Sequence, residues 1–297
     1  MSKRKIKIEE EVNPNLEMYE VLILDRSGSM QGVRDVTIEQ VNKYVADAQE
    51  AAKKDKIKTF YSLVLFDGVL ETLYNFTPVE EIRPLTAESY VPRGSTALND
   101  AIAHGIEELK TRLKGRENDP NVDVTITIFT DGWENSSTKY PGKGNKELFT
   151  YIGEIKDAYN WNIAFVGAGS PEEIARTAQD YNISPGATLS FNMTGNSIHD
   201  GAAISASFNT MELARGLKRG LFASGHKGVS ATYFSDTATT YKAVEPPDQV
   251  YTVAYTQDAN KPNAILSIRP STTASVDSLI SGLNNPLGTL DERMSNV

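Results

Sequence analysis

The sequence predicts an α/β domain: a doubly wound, mostly parallel six-stranded sheet with one antiparallel edge strand and helices on both faces. From Tyr19 onward, short apolar runs alternate with amphipathic stretches, the pattern of a parallel sheet covered by helices. The first run, Val21-Leu22-Ile23-Leu24, is apolar throughout, as a strand buried on both faces must be. That run then stops abruptly at Asp25.

The elements follow in order. Val41, Tyr44, Val45, Ala48 and Ala52 recur at three- and four-residue spacing, which places them on one face of a first helix. Residues 58–66 and 69–76 read as strands joined by Asp67-Gly68, a dipeptide suited to a two-residue hairpin turn, and supply the antiparallel edge. Leu98, Ile102, Ile106, Leu109 and Leu113 mark a second helix, entered from the loop Pro92-Arg93-Gly94-Ser95-Thr96. Val122, Val124, Ile126 and Ile128 form a strand ending at Thr130-Asp131-Gly132, and residues 163–166 form another ending at Gly167. Helices are expected over 147–159 and 171–181. A last strand over 188–191 precedes a helix carrying Ile204, Phe208, Met211 and Ala214. The expected organisation is a flexible lead-in over 1–15, the α/β domain over 16–225, and an extension over 226–297. In that extension the periodicity fades into Ser, Thr, Ala, Pro and Asn, so it is expected to be irregular or to order on a partner.

Composition narrows the function classes. The 297 residues are 39% hydrophobic and 23% charged, ordinary values for a folded soluble protein. A formal net charge of −9 argues against nucleic acid as partner, and the basic cluster Lys3, Arg4, Lys5, Lys7 is answered at once by Glu9, Glu10 and Glu11. No apolar leader follows those charges and no run approaches the roughly 20 apolar residues of a spanning helix. A cytoplasmic protein, or one within a particle assembled in the cytoplasm, is therefore expected, without a membrane partner. The absence of cysteine removes disulfides, thiolate metal sites and cysteine nucleophiles. The three histidines show no i, i+4 pair for zinc. Gly167-Ala168-Gly169 lacks the third glycine of a dinucleotide fingerprint, and residues 220–227 lack the Gly-Lys-Ser/Thr ending of a phosphate loop.

The informative segment is Asp25-Arg26-Ser27-Gly28-Ser29-Met30, an Asp-x-Ser-x-Ser element at the carboxyl end of the first strand. In an open α/β sheet ligands bind at such strand ends, and Thr96 and Asp131 are expected nearby. By itself the element also fits a strand end capping the next helix, since Ser and Asp are ordinary caps. Taken with the separate Thr96 and with Thr130-Asp131-Gly132, it resembles the metal-ion-dependent adhesion site of von Willebrand factor A domains, with all five positions filled. The resemblance covers about residues 16 to 225 and implies a Rossmann-like fold. It also implies that Ser27, Ser29 and Thr96 coordinate an ion through hydroxyls, while Asp25 and Asp131 act through waters or hydrogen bonds. The ion expected is Mg²⁺, or else Mn²⁺ or Ca²⁺; Mg²⁺ is a hard cation that takes six oxygens and keeps several waters. With both carboxylates at one remove, such an ion seeks an anionic oxygen from outside, which a partner's Asp or Glu supplies.

The expected function is thus a non-catalytic, metal-dependent protein-binding module. Intracellular relatives often accompany AAA-type ATPases of the MoxR kind, which implies an adaptor role. The alternatives are a structural component of a large assembly, such as a phage or secretion particle, and a Mg²⁺-dependent phosphohydrolase. The last lacks an Asp-x-Asp nucleophile, a histidine base and a lysine-bearing glycine loop. Arg26, Gln31, Arg93, Trp133 and Glu134 stand beside the predicted ion as candidates for setting partner choice. Trp133 either anchors a partner or packs under its own loop.

Overall fold

The computed structural model describes residues 13–228, 233–234, 239–243, 250–258 and 261–271. The strands are β1 (Glu17–Asp25), β2 (Lys58–Phe66), β3 (Leu70–Pro78), β4 (Val122–Thr130), β5 (Asn162–Ala168) and β6 (Thr188–Phe191). Between and after them run helices α1 (Arg34–Asp55), α2 (Leu98–Arg112), α3 (Lys146–Ala158), α4 (Pro171–Gln179) and α5 (Ser197–Ala223). The six strands form one sheet in the order β3-β2-β1-β4-β5-β6. All neighbours are parallel except β2 and β3. This is the fold class the sequence predicts.

The order places a switch point between β1 and β4. The chain winds outward through β2 and β3 on one side, then crosses back to build β4, β5 and β6 on the other. The loops leaving β1 and β4 therefore diverge, and the crevice between them is where a ligand of such a sheet binds. Leu24 pairs with Phe129 and Asp25 with Phe66, so Asp25 and Thr130 end adjacent strands at the same level.

Both central strands are buried along nearly their whole length, because helices cover both faces. Phe129 stacks on Phe191 and meets Phe208 of α5. On the opposite face α2 lies close to β1: a Cβ on Gly105 would stand 3.0 Å from Ile23 Cδ1, so a larger residue there would push the helix off the strand. Caps set the outer helices. Asn145 accepts from Glu147 and Leu148 N–H at the start of α3, and Ser170 and Glu173 form a capping box on α4.

Three expectations are refined. The β2–β3 connection holds three residues, Asp67 to Val69, because the Asp67 carboxylate accepts the Val69 N–H and closes its own turn. Helix α5 runs on to Ala223, past its expected apolar stripe. Over 226–297 the irregular chain expected from composition is corrected where residues are described. There β7 (His226–Gly228), β8 (Thr239–Ala243), β9 (Val250–Asp258) and β10 (Lys261–Ser271) form a four-stranded antiparallel sheet, in the order β10-β9-β8-β7. Most of the expected lead-in over 1–15 lies outside the described residues. Among the described residues no helix is long and apolar enough to cross a membrane.

Candidate functional site

Four loops meet at the carboxyl end of the sheet, following β1, β2 and β4 and preceding α2. Asp25 is fully buried; its Oδ1 accepts the Ser27 N–H at 2.7 Å and its Oδ2 accepts the Thr130 hydroxyl at 2.5 Å. The first bond turns the chain back on itself, which brings Ser27 and Ser29 to the same side. Their hydroxyl oxygens lie 3.0 Å apart, and Ser29 Oγ donates to Asp131 Oδ1 at 2.7 Å. Thr96 completes the group. A Cβ built on Gly132 would lie 3.5 Å from Thr96 Oγ1, 3.7 Å from Asp25 Oδ2 and 3.9 Å from Ser29 Oγ. Three of the five predicted oxygen donors thus surround one point that only glycine leaves open, and the other two are one hydrogen bond away.

The capping alternative meets direct evidence. Ser27 precedes the 3₁₀ turn Gly28–Val33, yet its side chain makes no cap hydrogen bond. The first turn of α2 is served from elsewhere: Glu134 Oε2 accepts from Asn99 N–H at 2.9 Å and Ser137 Oγ from Asp100 N–H at 3.0 Å. The hydroxyls of Ser27, Ser29 and Thr96 therefore cap neither helix, and those of Ser27 and Ser29 bond within the group itself.

Electrostatics point the same way. Burial pushes the Asp25 carboxyl above its ordinary range, with nearby Asp67 adding to the effect. Burial, and then the charge of Asp25, pushes Asp131 up to about 6. Among the described residues no lysine, arginine or histidine forms an ion pair with either carboxylate. Nor, among those residues, do three or more His, Cys, Asp or Glu side chains cluster as a metal-binding group. The donor set here is instead two carboxylates with three hydroxyls, all oxygen, which fits a hard divalent cation and lacks the nitrogen or sulfur that zinc usually takes.

The rim differs from expectation at two positions. Arg26 is 3% exposed and turned inward, donating from Nε to Asp67 Oδ2 at 3.0 Å and pairing through Nη1 with Glu71 at 2.6 Å. Glu134 is also buried and takes four hydrogen bonds, from Asn99, Ser136 and Ser137. Both hold loops in place, and neither faces a partner. Gln31, Arg93 and Trp133 are on the outside, with Lys143 Nζ 4.7 Å above the Trp133 ring.

Sequence reasoning missed Asp67 and Asn135. The Asp67 carboxylate, read only as a turn residue, gathers Arg26, Arg93 and the Val69 N–H. Asn135 clasps Thr96, accepting its N–H on Oδ1 at 2.8 Å and donating its own N–H to the Thr96 carbonyl at 3.0 Å. An acid between a strand and a glycine, facing two arginines in other loops, was the available signal for Asp67. Nothing local announces Asn135.

The sequence matches the von Willebrand factor type A domain over residues 21–193, more than half of the chain. The chain belongs to the von Willebrand factor type A family. Domains of this family are typically protein-interaction modules and generally non-catalytic. The matched span of this vWA domain runs from β1 to just beyond β6 and includes all five predicted donors. Similar solved structures include a von Willebrand factor type A protein from Catenulispora acidiphila, 16% identical with a TM-score of 0.46, covering 86% of this chain and 66% of that one. The PilB minor pilin from Streptococcus sanguinis is 13% identical with a TM-score of 0.46, covering 69% and 62%. Proximal thread matrix protein 1 from the mussel byssus is 12% identical with a TM-score of 0.45, covering 65% and 46%. The chain thus spans between about half and two thirds of the length of these proteins. No curated protein matches it.

Proposed function

We propose that this domain is a non-catalytic protein-binding module that grips an Asp or Glu of a partner through one divalent ion, Mg²⁺ by preference. The observation that carries the reading is a fully buried carboxylate, Asp25, and a half-buried one, Asp131, set among the described residues without a side-chain counter-charge, beside three hydroxyls that cap nothing. The charge of Asp25 bears on Asp131, and a cation beside the two carboxylates would remove the cost of their repulsion. Ser27, Ser29 and Thr96 would hold the ion through neutral oxygens, and Asp25 and Asp131 would hold its waters or hydroxyl ligands in place. The bound ion supplies an electrophilic centre that accepts one anionic oxygen from outside. Thr130 and the Ser27 N–H fix Asp25 so that its oxygens face that centre.

Nothing in this arrangement moves a proton or attacks a bond. His104, the histidine of α2, is engaged with Thr72 at 2.9 Å and Glu108 at 3.3 Å on the face of β3. The test is a calorimetric titration of chelator-treated protein with Mg²⁺ and Mn²⁺, beside a Ser27→Ala/Ser29→Ala variant whose fold is checked by circular dichroism. Saturable one-site binding that the variant loses supports the reading. Binding by neither protein, or equal binding by both, overturns it.

A further inference from the structure

A second group of donor atoms lies at the edge of the sheet, on the wall formed by β3 and α2. His104 and Glu108 stand one turn apart on α2, and Thr72 of β3 reaches across to both. Thr72 Oγ1 is 2.9 Å from His104 Nε2 and 3.0 and 3.1 Å from the two carboxylate oxygens of Glu108. His104 Nε2 in turn is 3.3 Å from Glu108 Oε1. One nitrogen and two oxygens thus form a triangle with edges of 2.9, 3.0 and 3.3 Å. Two ligand atoms about 2.1 Å from one zinc ion stand about 3.4 Å apart at tetrahedral angles and about 3.0 Å apart at right angles. The triangle has the size that lets one ion reach all three atoms.

The setting suits a cation. The cleft beside the group, about 470 Å³, is lined by Asn75, His104, Glu107, Glu108, Thr111 and Arg112. No lysine or arginine pairs with Glu108 among the described residues; its neighbours are Thr72, His104 and the Asn75 amide at 3.4 Å. Other charges of the wall are engaged elsewhere, Glu107 with Lys139 at 2.7 Å and Arg112 over the Phe60 ring at 5.2 Å. The side chains of His104 and Glu108 are 34% and 18% exposed, so solvent reaches them. Thr72 carries one hydroxyl proton and gives it to Glu108, which makes His104 Nε2 the donor to Thr72 Oγ1. That arrangement keeps the imidazole proton on Nε2, whereas a metal takes the Nε2 lone pair and leaves the proton on Nδ1.

We infer that Thr72, His104 and Glu108 form a separate metal site, for Zn²⁺, with water completing its shell. The imidazole decides the ion, since nitrogen suits zinc while Mg²⁺ takes oxygen. The donors at the strand ends are all oxygen, and this site stands or falls independently of the reading given to them.

The test titrates Zn²⁺ into the full chain carrying Ser27→Ala/Ser29→Ala, with excess Mg²⁺ present, so that the strand-end group does not contribute. Calorimetry should show one Zn²⁺ bound per chain. In the unsubstituted chain, long-range ¹H–¹⁵N NMR spectra report on the three histidines alone. One of them should pass from the Nε2–H to the Nδ1–H form as zinc is added, and that signal should be missing in His104→Ala. His104→Ala and Glu108→Gln should each weaken Zn²⁺ binding at least about tenfold, the least that even outer partners of a metal ligand contribute. Thr72→Val should weaken it several-fold, and Thr72→Ser, which keeps the hydroxyl, should not. Circular dichroism checks the fold of each variant. The inference is overturned by a lack of Zn²⁺ binding, by affinity unchanged in His104→Ala, Glu108→Gln or Thr72→Val, or by a tautomer change at His199 or His226 instead.

Discussion

Two groups of buried charge sit on the same central strands, and they are balanced in opposite ways. Beneath α5, the acids Glu20, Asp123 and Asp55 face three cations of one helix. Lys218 lies 2.8 Å from Asp123, with both side chains 1% exposed, and Arg215 lies 3.6 Å from Glu20. Arg219 forks onto Asp55 and donates to Thr59 at 2.7 Å. At the carboxyl ends of β1 and β4, Asp25 and Asp131 are met by hydroxyls and by no side-chain cation among the described residues. The first cluster is closed: its acids are neutralised from within, and its work is to fasten α5 across the sheet. The second is open: among the described residues no side-chain cation meets its acids, and the proposed outside cation rests on that. Buried acid by itself therefore does not distinguish the two clusters; what distinguishes them is whether a side-chain cation answers it.

The sharpest way to break the comparison is to remove one charge from each cluster. Lys218→Met strands Asp123 in the core without a partner and should cost about 3–5 kcal/mol in urea unfolding, whether or not Mg²⁺ is present. The companion Lys218→Met/Asp123→Leu should recover much of the loss, because a buried pair replaced by apolar side chains is often neutral.

In the open cluster the same operation should do the reverse. Asp131→Asn keeps an oxygen for the Ser29 hydroxyl and removes repulsion from Asp25, so metal-free stability should stay level or rise. The added stability conferred by Mg²⁺ at a hundred times its dissociation constant, about 2.7 kcal/mol, should vanish. A metal-free loss as large as that of Lys218→Met would show that both clusters are structural.

The pH dependence sharpens the contrast further. The folded value of Asp131, about 6, lies above its unfolded value near 3.8. The folded state therefore binds more protons between those values. Its stability benefit is full below pH 3.8 and is lost as pH rises through about 6, a loss on the order of 2 kcal/mol in metal-free protein. On the proposed reading Mg²⁺ would replace the proton, so the rise in melting temperature on adding Mg²⁺ should be small at pH 5 and large at pH 7.5. A rise independent of pH would detach Asp131 from the ion.

The open cluster was legible in the sequence and the closed one was not, for a physical reason. Asp25, Ser27 and Ser29 lie within five residues at a strand end, and Asp131 ends a second apolar strand, so strand periodicity alone brings them together. Arg215, Lys218 and Arg219 follow the apolar stripe of α5 as charges normally follow on a solvated face. Their burial depends on Glu20, Tyr44, Asp55, Thr59, Asp123 and Thr125, far earlier in the chain. Long cationic side chains carry apolar stems that pack in a core, and local pattern does not report where their tips end. Arg26 was misassigned by the same blindness, since its burial is decided by Asp67 and Glu71 in the neighbouring hairpin. The strands beyond 226 lack the continuous apolar runs that mark β1 and β5, because Ser, Thr and Pro interrupt them.

The smallest effect expected concerns Asn135, which touches no predicted donor side chain but holds the backbone of Thr96 by two hydrogen bonds. Asn135→Ala removes the side-chain acceptor and leaves the Thr96 N–H without it, at a cost of about 1 kcal/mol in stability. Thr96 then gains freedom relative to Asp25 and Ser29, and Mg²⁺ affinity should fall several-fold by calorimetry. Asn135→Asp keeps an acceptor at the same place and should restore most of that affinity. If alanine and aspartate lower affinity equally, the clasp does not position Thr96 and the hydroxyl is held by its own loop. If alanine lowers stability and leaves affinity unchanged, Thr96 is not a ligand, and the open cluster holds its cation with four donors.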